Sequence, residues 1–410
     1  MKIKLISLLL ALFFLTSCAG NQPDTTENTT PVSTNVTEPV ENREEPAPPL
    51  SPEPEEPELP RQPAPDPRQA TIDTILSAMT LEEKVGQMFF VRCPAANQTE
   101  LIQQYHLGGY LLFGRDFKDS AGNWLTAEQF TDTVASYQAA SSIPLFIGVD
   151  EEGGTVARAT RNPNLFSAKR KSPQSVFRSG GPEAVVQDTL AVNSGLLRYG
   201  INVNFAPVAD VSTDPADFIY DRSFGQGAAA TAEYIAAAVT AMGETGIGSV
   251  LKHFPGYGSN ADTHTGIAVD GRPYEQFLAE DFLPFRAGID AGAGSVLVSH
   301  NIVTCMDDGL PASLSPAVHA VLREELDFTG VILTDDLAMD AVEAYAEDGS
   351  VAVLAVLAGN DMIVTTDFAA QIPLVIAAVE DGTIPMETIN SAVSRILGWK
   401  YDLGLLTTEE

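Results

Sequence analysis

The sequence predicts an α/β fold, a (β/α)8 TIM barrel preceded by a disordered Pro/Glu-rich linker, on three observations. Eight short, apolar, β-branched runs recur between longer Ala-rich amphipathic stretches from residue 71 to 405. The runs are apolar throughout rather than alternating, as parallel strands covered on both faces are. No Gly-rich phosphate loop follows the first run, which disfavours a doubly wound sheet, the other architecture that tolerates this spacing.

The chain opens with MKIK, two positive charges, then the apolar ISLLLALFFL and LTSC at 15–18. That apolar stretch is too short for an ordinary transmembrane helix and fits a secretory signal. LTSC is similar to a bacterial lipobox, which implies cleavage before Cys18 and lipidation of its thiol; a plain signal peptide with a chance cysteine is the alternative. Residues 1–18 are read as a lipoprotein signal peptide, exporting the protein and anchoring it so that the catalytic domain lies outside the cytoplasmic membrane without a spanning helix.

Residues 19–70 are read as a disordered Pro/Glu/Thr-rich linker. They hold eleven Asp or Glu against three Arg, and thirteen of the 27 prolines fall between 21 and 70. With almost no large apolar residue, no core can form, and closely spaced prolines among like charges keep the segment extended as a stalk.

Residues 71–410 are read as the barrel domain. TIDTILSAMTLEEKVGQM has helical spacing of apolar residues, and Thr80-x-x-Glu83 is a capping box. The strand-like runs follow in order: VGQMFFVR (85–92), GGYLLFG (108–114), PLFIGVD (144–150), INVNFAPVAD (201–210), GSVLKHF (248–254), GSVLVSH (294–300), GVILTDD (330–336) and DMIVTT (361–366). A formal net charge of −32 argues against nucleic-acid partners, because phosphate recognition needs clustered Lys and Arg. Beyond Cys18 only Cys93 and Cys305 remain, too few for a disulfide framework; both are expected as small buried residues in or beside strands, a structural disulfide being the lesser reading.

Catalytic groups of such a barrel stand at the C-terminal ends of its strands. Charges collect there: Arg92, Arg115 with Asp116, Asp150 with Glu151 and Glu152, Asp210, Lys252 with His253, His300, and Asp335 with Asp336. One such group can be a helix N-cap, but a ring of them suggests a polar pocket suited to a sugar. Asp336 fits a cap of the following helix or a site residue. His300 fits substrate binding or a bond between loops. Asp335, emerging from GVILT, is where a reactive carboxylate would sit. His106 and His319 lie on helical segments and read as structural.

KHFPGYGSNADTHTG, 252–266, holds two of the five histidines. A metal site built from His253, His264, Asp262 and Asp335 is the competing reading, although His-x-His and H-E-x-x-H are both absent.

Taken in order, GGYLLFGRDF, GVDEEGGTVAR, NVNFAPVADV, DRSFG, KHFPGYG with DTH, PASLSP and GVILTDDLAM resemble glycoside hydrolase family 3, specifically its bacterial β-N-acetylglucosaminidase (β-N-acetylhexosaminidase) branch, over about 71–405. The resemblance implies a retaining β-glycosidase on a TIM barrel, with Asp335 as nucleophile, His264 as acid/base and Asp262 orienting His264. A neighbouring carboxylate favours the proton-donating form of an imidazole, which makes that pairing chemically coherent. It further implies Asp150, Arg158, Arg222, Lys252 and His253 as substrate-binding residues; Arg158 and Arg222 could instead bridge loops. No cofactor and no metal is implied. Two departures stand out. Tyr257 replaces a His of the pattern, and only SNA separates Gly258 from Asp262. The C-terminal sandwich domain of many members is not expected, so a single-domain form and a monomer are.

The activity so implied is exo-hydrolysis of terminal non-reducing β-GlcNAc from oligosaccharides, either peptidoglycan fragments (muropeptides) or chitin. A β-N-acetylglucosaminide phosphorylase, a β-glucosidase of the same family and a non-catalytic sugar-binding lipoprotein are the alternatives.

Overall fold

The structure, a computed structural model, describes residues 66–260, 266, 268–339, 342, 345 and 351–406. The signal segment with Cys18, the linker up to residue 65, and the Asp262–His264 pair lie outside the described residues.

Each of the eight runs contains one strand: β1 Phe89–Arg92, β2 Gly109–Leu112, β3 Phe146–Val149, β4 Val203–Asn204, β5 Gly248–Phe254, β6 Ser295–Val298, β7 Val331–Thr334 and β8 Ile363–Thr365. All pair in parallel, each with its sequence neighbour from β1 to β7, and β8 returns to β1 with Phe89 opposite Ile363. Between β7 and β8 the wall closes through a parallel bridge of Leu333 with Met362, where the Thr334 amide donates to the Met362 carbonyl at 3.1 Å. The result is an eight-stranded parallel barrel with helices in the connections.

The N-terminal helical stretch is two helices rather than one, α1 Pro67–Ala78 and α2 Leu81–Gln87. Thr80, extended at φ −71° and ψ 170°, interrupts them because its side chain caps α2, with Glu83 answering at the Thr80 amide. Helix α1 starts at Pro67, four residues before the expected Thr71, because the Asp66 carboxylate accepts from the Arg68 amide and Pro67 suits the first turn. The connections then supply α3 Gln98–Tyr105, α4 Ala127–Ala140, α5 Pro173–Arg198, α6 Ala228–Thr245, α7 Phe282–Asp290, α8 Pro316–Ala320, α9 Val351–Ala358, α10 Phe368–Glu380 and α11 Met386–Asp402.

Phe90 of β1 meets Phe146 of β3 at 5.8 Å between ring centroids and Phe205, just past β4, edge-on at 5.1 Å. A Cβ at Gly148 of β3 would lie 2.6 Å from Phe90 Cζ. Since β1 and β3 are not neighbours, these contacts cross the barrel interior. Trp399 of α11 packs where Gly248 and Gly294 open β5 and β6, so that end is closed by an aromatic ring fitted against small residues.

Cys93 is buried directly after β1, as expected. Cys305 is exposed, contrary to expectation. It follows a short outer pairing of Val269–Asp270 with Ile302–Val303, not a barrel strand, so its apolar approach sequence covers a local ribbon. Both are free thiols. His319 is buried on α8 and its Nδ1 donates to the Ser315 carbonyl at 2.8 Å, and His106 ends α3 in a left-handed turn. Both lie on helical segments, as read.

Gly148→Ala should lower stability by about 1–3 kcal/mol, because the methyl would also lie 2.8 Å from Phe205 Cε2. Urea denaturation measures it, and an unchanged midpoint would contradict a filled interior.

Candidate active site

The strand ends β1, β3, β5 and β7 surround a cavity of about 280 Å3 lined by Arg92, Phe113, Asp150, Arg158, Arg222, Lys252, His253, Asp335, Asp336 and Met339, among others. Six of the eight residues assigned to catalysis or substrate binding are therefore brought together. The other two, Asp262 and His264, lie outside the described residues.

The cavity is organised by a carboxylate that sequence reasoning placed on the rim without a role. Glu152 is 3% exposed, accepts from Arg222 Nε at 3.0 Å and Arg222 Nη2 at 2.8 Å, and forms an ion pair with Lys252 Nζ at 2.6 Å. Burial opposes its charge, but the Arg222 and Lys252 cations outweigh that and hold its carboxyl well below the usual range. Burial likewise pulls the Lys252 ammonium down, yet Asp150, 2.7 Å away, and Glu152 bring it above the usual lysine value. Asp150 and Glu152, just past β3, both reach Lys252, whereas Glu151 between them makes other contacts. Glu151 is buried too. Its carboxylate accepts from the Arg158 amide at 2.9 Å and the Thr160 hydroxyl at 2.6 Å, which shapes the turn that presents Arg158.

His253 donates from Nδ1 to Asp210 Oδ2 at 2.7 Å and accepts at Nε2 from Arg222 Nη2 at 2.9 Å. A carboxylate can only accept and a guanidinium only donate, so these partners set the tautomer. Both ring nitrogens are thus engaged by protein groups, Asp210 on one side and Arg222 on the other. Asp210 also accepts from the His253 and Tyr257 amides, at 3.1 and 2.8 Å, tying the start of the loop after β5 to the end of β4. Tyr257 is buried with its ring edge-on to His253 at 5.1 Å. Gly256, at φ 122°, is required there, because a Cβ would lie 2.2 Å from Asp281 Oδ1.

Asp335 follows β7 with its amide donating to the Val298 carbonyl at 2.9 Å, and its Oδ1 accepts from the Asp336 amide at 2.9 Å. Asp336 accepts from the Ala338 amide at 3.0 Å, the short-range turn of a capping residue, and burial pushes its carboxyl above the usual range. His300 is fully buried, its Nδ1 3.0 Å or less from Ser313 Oγ (2.7 Å) and its Nε2 3.0 Å from the Asp336 carbonyl. Of its two readings, the one between loops describes these contacts.

This geometry can be set beside known proteins. The glycosyl hydrolase family 3 N terminal domain matches residues 80–398. The chain belongs to glycosyl hydrolase family 3. It is 33% identical over 273 residues to a protein named Beta-hexosaminidase from Nitrosomonas eutropha, covering 65% of this chain and 76% of that one. A Beta-hexosaminidase from Xanthomonas campestris is 32% identical over 252 residues, covering 60% and 73%. Among solved structures, a family 3 beta-N-acetylglucosaminidase from Paenibacillus superposes with a TM-score of 0.73 at 29% identity, over 81% of this chain and 64% of that chain. The Beta-N-acetylhexosaminidase from Beutenbergia cavernae superposes with 0.69 at 29% identity, over 78% and 98%.

In this glycosidase of family 3, Lys252, Asp150 and Arg222 all line the cavity while held to one another through Glu152 and the Lys252–Asp150 pair. Asp210 and Glu152 went unassigned in the sequence, although the repeated acid of DEEGG at i and i+2 carried the signal for Glu152.

Glu152→Gln should destabilise the protein by about 3–5 kcal/mol, since it leaves the buried Arg222 guanidinium without its carboxylate and Lys252 with Asp150 alone. The folded carboxyl titrates below its ordinary value of 4.5, so its contribution is complete above that pH and disappears as pH falls through the depressed value. Urea titrations of the two proteins should therefore differ by a constant amount at pH 5–8 and converge in stronger acid. A gap that widens in acid would contradict the ionised assignment.

Proposed function

We propose that this family 3 glycosidase is a retaining exo-β-N-acetylglucosaminidase that removes terminal non-reducing β-GlcNAc. The observation that carries the reading is the placement of the Asp335 carboxylate in one cavity with the Lys252–Asp150–Arg222 cluster, a nucleophile facing a preorganised set of hydroxyl donors and acceptors. The printed names of the relatives, Beta-hexosaminidase and beta-N-acetylglucosaminidase, support the 2-acetamido sugar.

In this reading Asp335 attacks the anomeric carbon, forming a covalent glycosyl-enzyme as the glycosidic bond breaks. His264 gives its proton to the departing oxygen and then takes one from the water that releases the sugar, and Asp262 orients the imidazole. Lys252 and Arg222 donate to ring hydroxyls, Asp150 accepts from one, and His253 with Asp210 and Glu152 keeps the donors aimed. The polypeptide before the barrel would hold the enzyme at a membrane through lipid on Cys18, beside wall fragments or imported oligosaccharides. Peptidoglycan fragments and chitin oligosaccharides are the substrates that reading favours.

Asp335→Asn should abolish turnover of every β-GlcNAc substrate while leaving the fold intact by circular dichroism. His264→Ala should slow substrates with poor leaving groups by about 10²–10⁴-fold and activated aryl glycosides far less, because only a poor leaving group needs the proton. Equal losses on both substrate types would remove His264 from the role. Aryl-β-GlcNAc should be cleaved faster than aryl-β-glucoside, and the reverse order would overturn the sugar assignment.

A further inference from the structure

The chain that leaves β5 runs outward through Gly256–Asn260 and returns through Ala268–Asp270, where Val269 and Asp270 pair in parallel with Ile302 and Val303. His264 belongs to the stretch between, four positions from Asn260 and four from Ala268. One side chain ties the two arms to each other.

That side chain is Arg272. On the returning arm its Nε and Nη2 donate to Asp270 Oδ2 at 3.0 and 2.8 Å, and its amide donates to Asp270 Oδ1 at 2.9 Å. Its Nη1 donates to Asp281 Oδ2 at 2.8 Å, at the entry to α7. Its Nη2 also reaches the Gly256 carbonyl on the outgoing arm, at 3.3 Å. The guanidinium rests on the Phe277 ring, with Cζ 4.3 Å from the centroid. Asn260 adds a second cross-tie, donating from Nδ2 to Asp270 Oδ2 at 2.8 Å. Asp270 and Asp281 are both buried, so the ion pairs are charge-assisted bonds shielded from solvent.

The outgoing arm lies against this cluster too closely to carry a side chain there. A Cβ on Gly258, at φ 53°, would stand 2.6 Å from Arg272 Cζ, just as one on Gly256 would meet Asp281. Gly256, Asp270 and Asp281 all lie outside β1–β8, so the cluster fixes the loop rather than the barrel wall.

Each arm is also registered to the cavity. The Tyr257 amide donates to Asp210, which holds His253 beside Arg222. On the return, the Ala268 carbonyl accepts from the Ile302 amide at 2.8 Å and the Asp270 carbonyl from the Thr304 amide at 2.9 Å, on the segment after β6. β6 pairs with β7, and Asp335 follows β7. Four residues on either side of His264 leave little chain to absorb a shift of the arms. A displacement on the order of 1 Å at a reacting group costs about 100-fold in rate.

We propose that Arg272, with Asp270, Asp281 and Asn260, is a positioning clamp that sets where the His264 segment stands relative to Asp335. This rests on the reading of His264 as the acid/base given above. None of the four clamp residues lines the cavity, so their effect on the reaction passes through the loop.

The test uses the whole chain with Arg272→Gln, Arg272→Lys and Asn260→Ala, each alone and combined with His264→Ala. Kinetics are read as kcat/KM on chitobiose, whose leaving sugar needs a proton, and on dinitrophenyl β-GlcNAc, whose leaving group does not. Arg272→Gln should lower the chitobiose value about 100-fold and Asn260→Ala about ten-fold, with far smaller losses on the dinitrophenyl glycoside and partial recovery in Arg272→Lys. Added to His264→Ala, neither should lower the chitobiose value further, because the group they position is gone. Asn260→Ala removes a cross-tie without stranding a charge, so it decides the matter if Arg272→Gln fails to fold. Amide hydrogen exchange reads the clamp without turnover. The Tyr257 and Asn260 amides, bonded to Asp210 and to the Tyr257 carbonyl, should exchange about ten-fold faster in the variants while the amides of β7 stay unchanged. Equal losses on both substrates, additive losses with His264→Ala, or unaltered exchange in the arms overturn the clamp. If the wild type cleaves no β-GlcNAc, or His264→Ala is indifferent to the leaving group, the functional reading falls instead, and exchange alone decides the clamp.

Discussion

The mouth of this barrel depends on one buried carboxylate. Glu152 lies between the Lys252 ammonium and the Arg222 guanidinium, and without its charge Arg222 would lose its carboxylate and Lys252 would keep Asp150 alone. The contacts propagate outward. Arg222 touches His253, His253 touches Asp210, and Asp210 takes the amides of His253 and Tyr257. The donors a sugar would meet are thus positioned by bonds made before any sugar arrives, which is what preorganised recognition requires.

The same network ties three strand ends together. Asp150 and Glu152 follow β3, Asp210 closes the segment after β4, and Lys252 with His253 belongs to β5. Parallel pairing directs all of these ends to one face, and there Asp335 enters from β7. Barrel closure brings Asp150 and Lys252, 102 positions apart in the chain, into contact.

The local chemistry was readable where it repeats or contrasts sharply. Eight doubly covered strands leave eight uninterrupted apolar runs, and polar residues at their ends stand out against them. Thr80 and Glu83 announced a cap, but the apolar periodicity ran straight across it, so the break between α1 and α2 appears only when the cap is seen to hold Thr80 extended. Cys305 read as buried because apolar residues precede it, and those residues cover the Val269–Asp270 ribbon instead. The family resemblance implied His253 as substrate-binding, and nothing in the local sequence says that Arg222 and Asp210 reach its two nitrogens.

What the sequence alone determined, then, is the strand content, the face on which the chemistry stands, and the residue types available to it, because apolar periodicity and strand-end polarity are local properties of the chain. What only the tertiary structure decided is which charges neutralise which. Glu152 with Arg222 spans seventy positions, and Lys252 with Asp150 spans 102. Coulombic pairing depends on distance in space, and a linear chain does not carry that distance until the barrel closes.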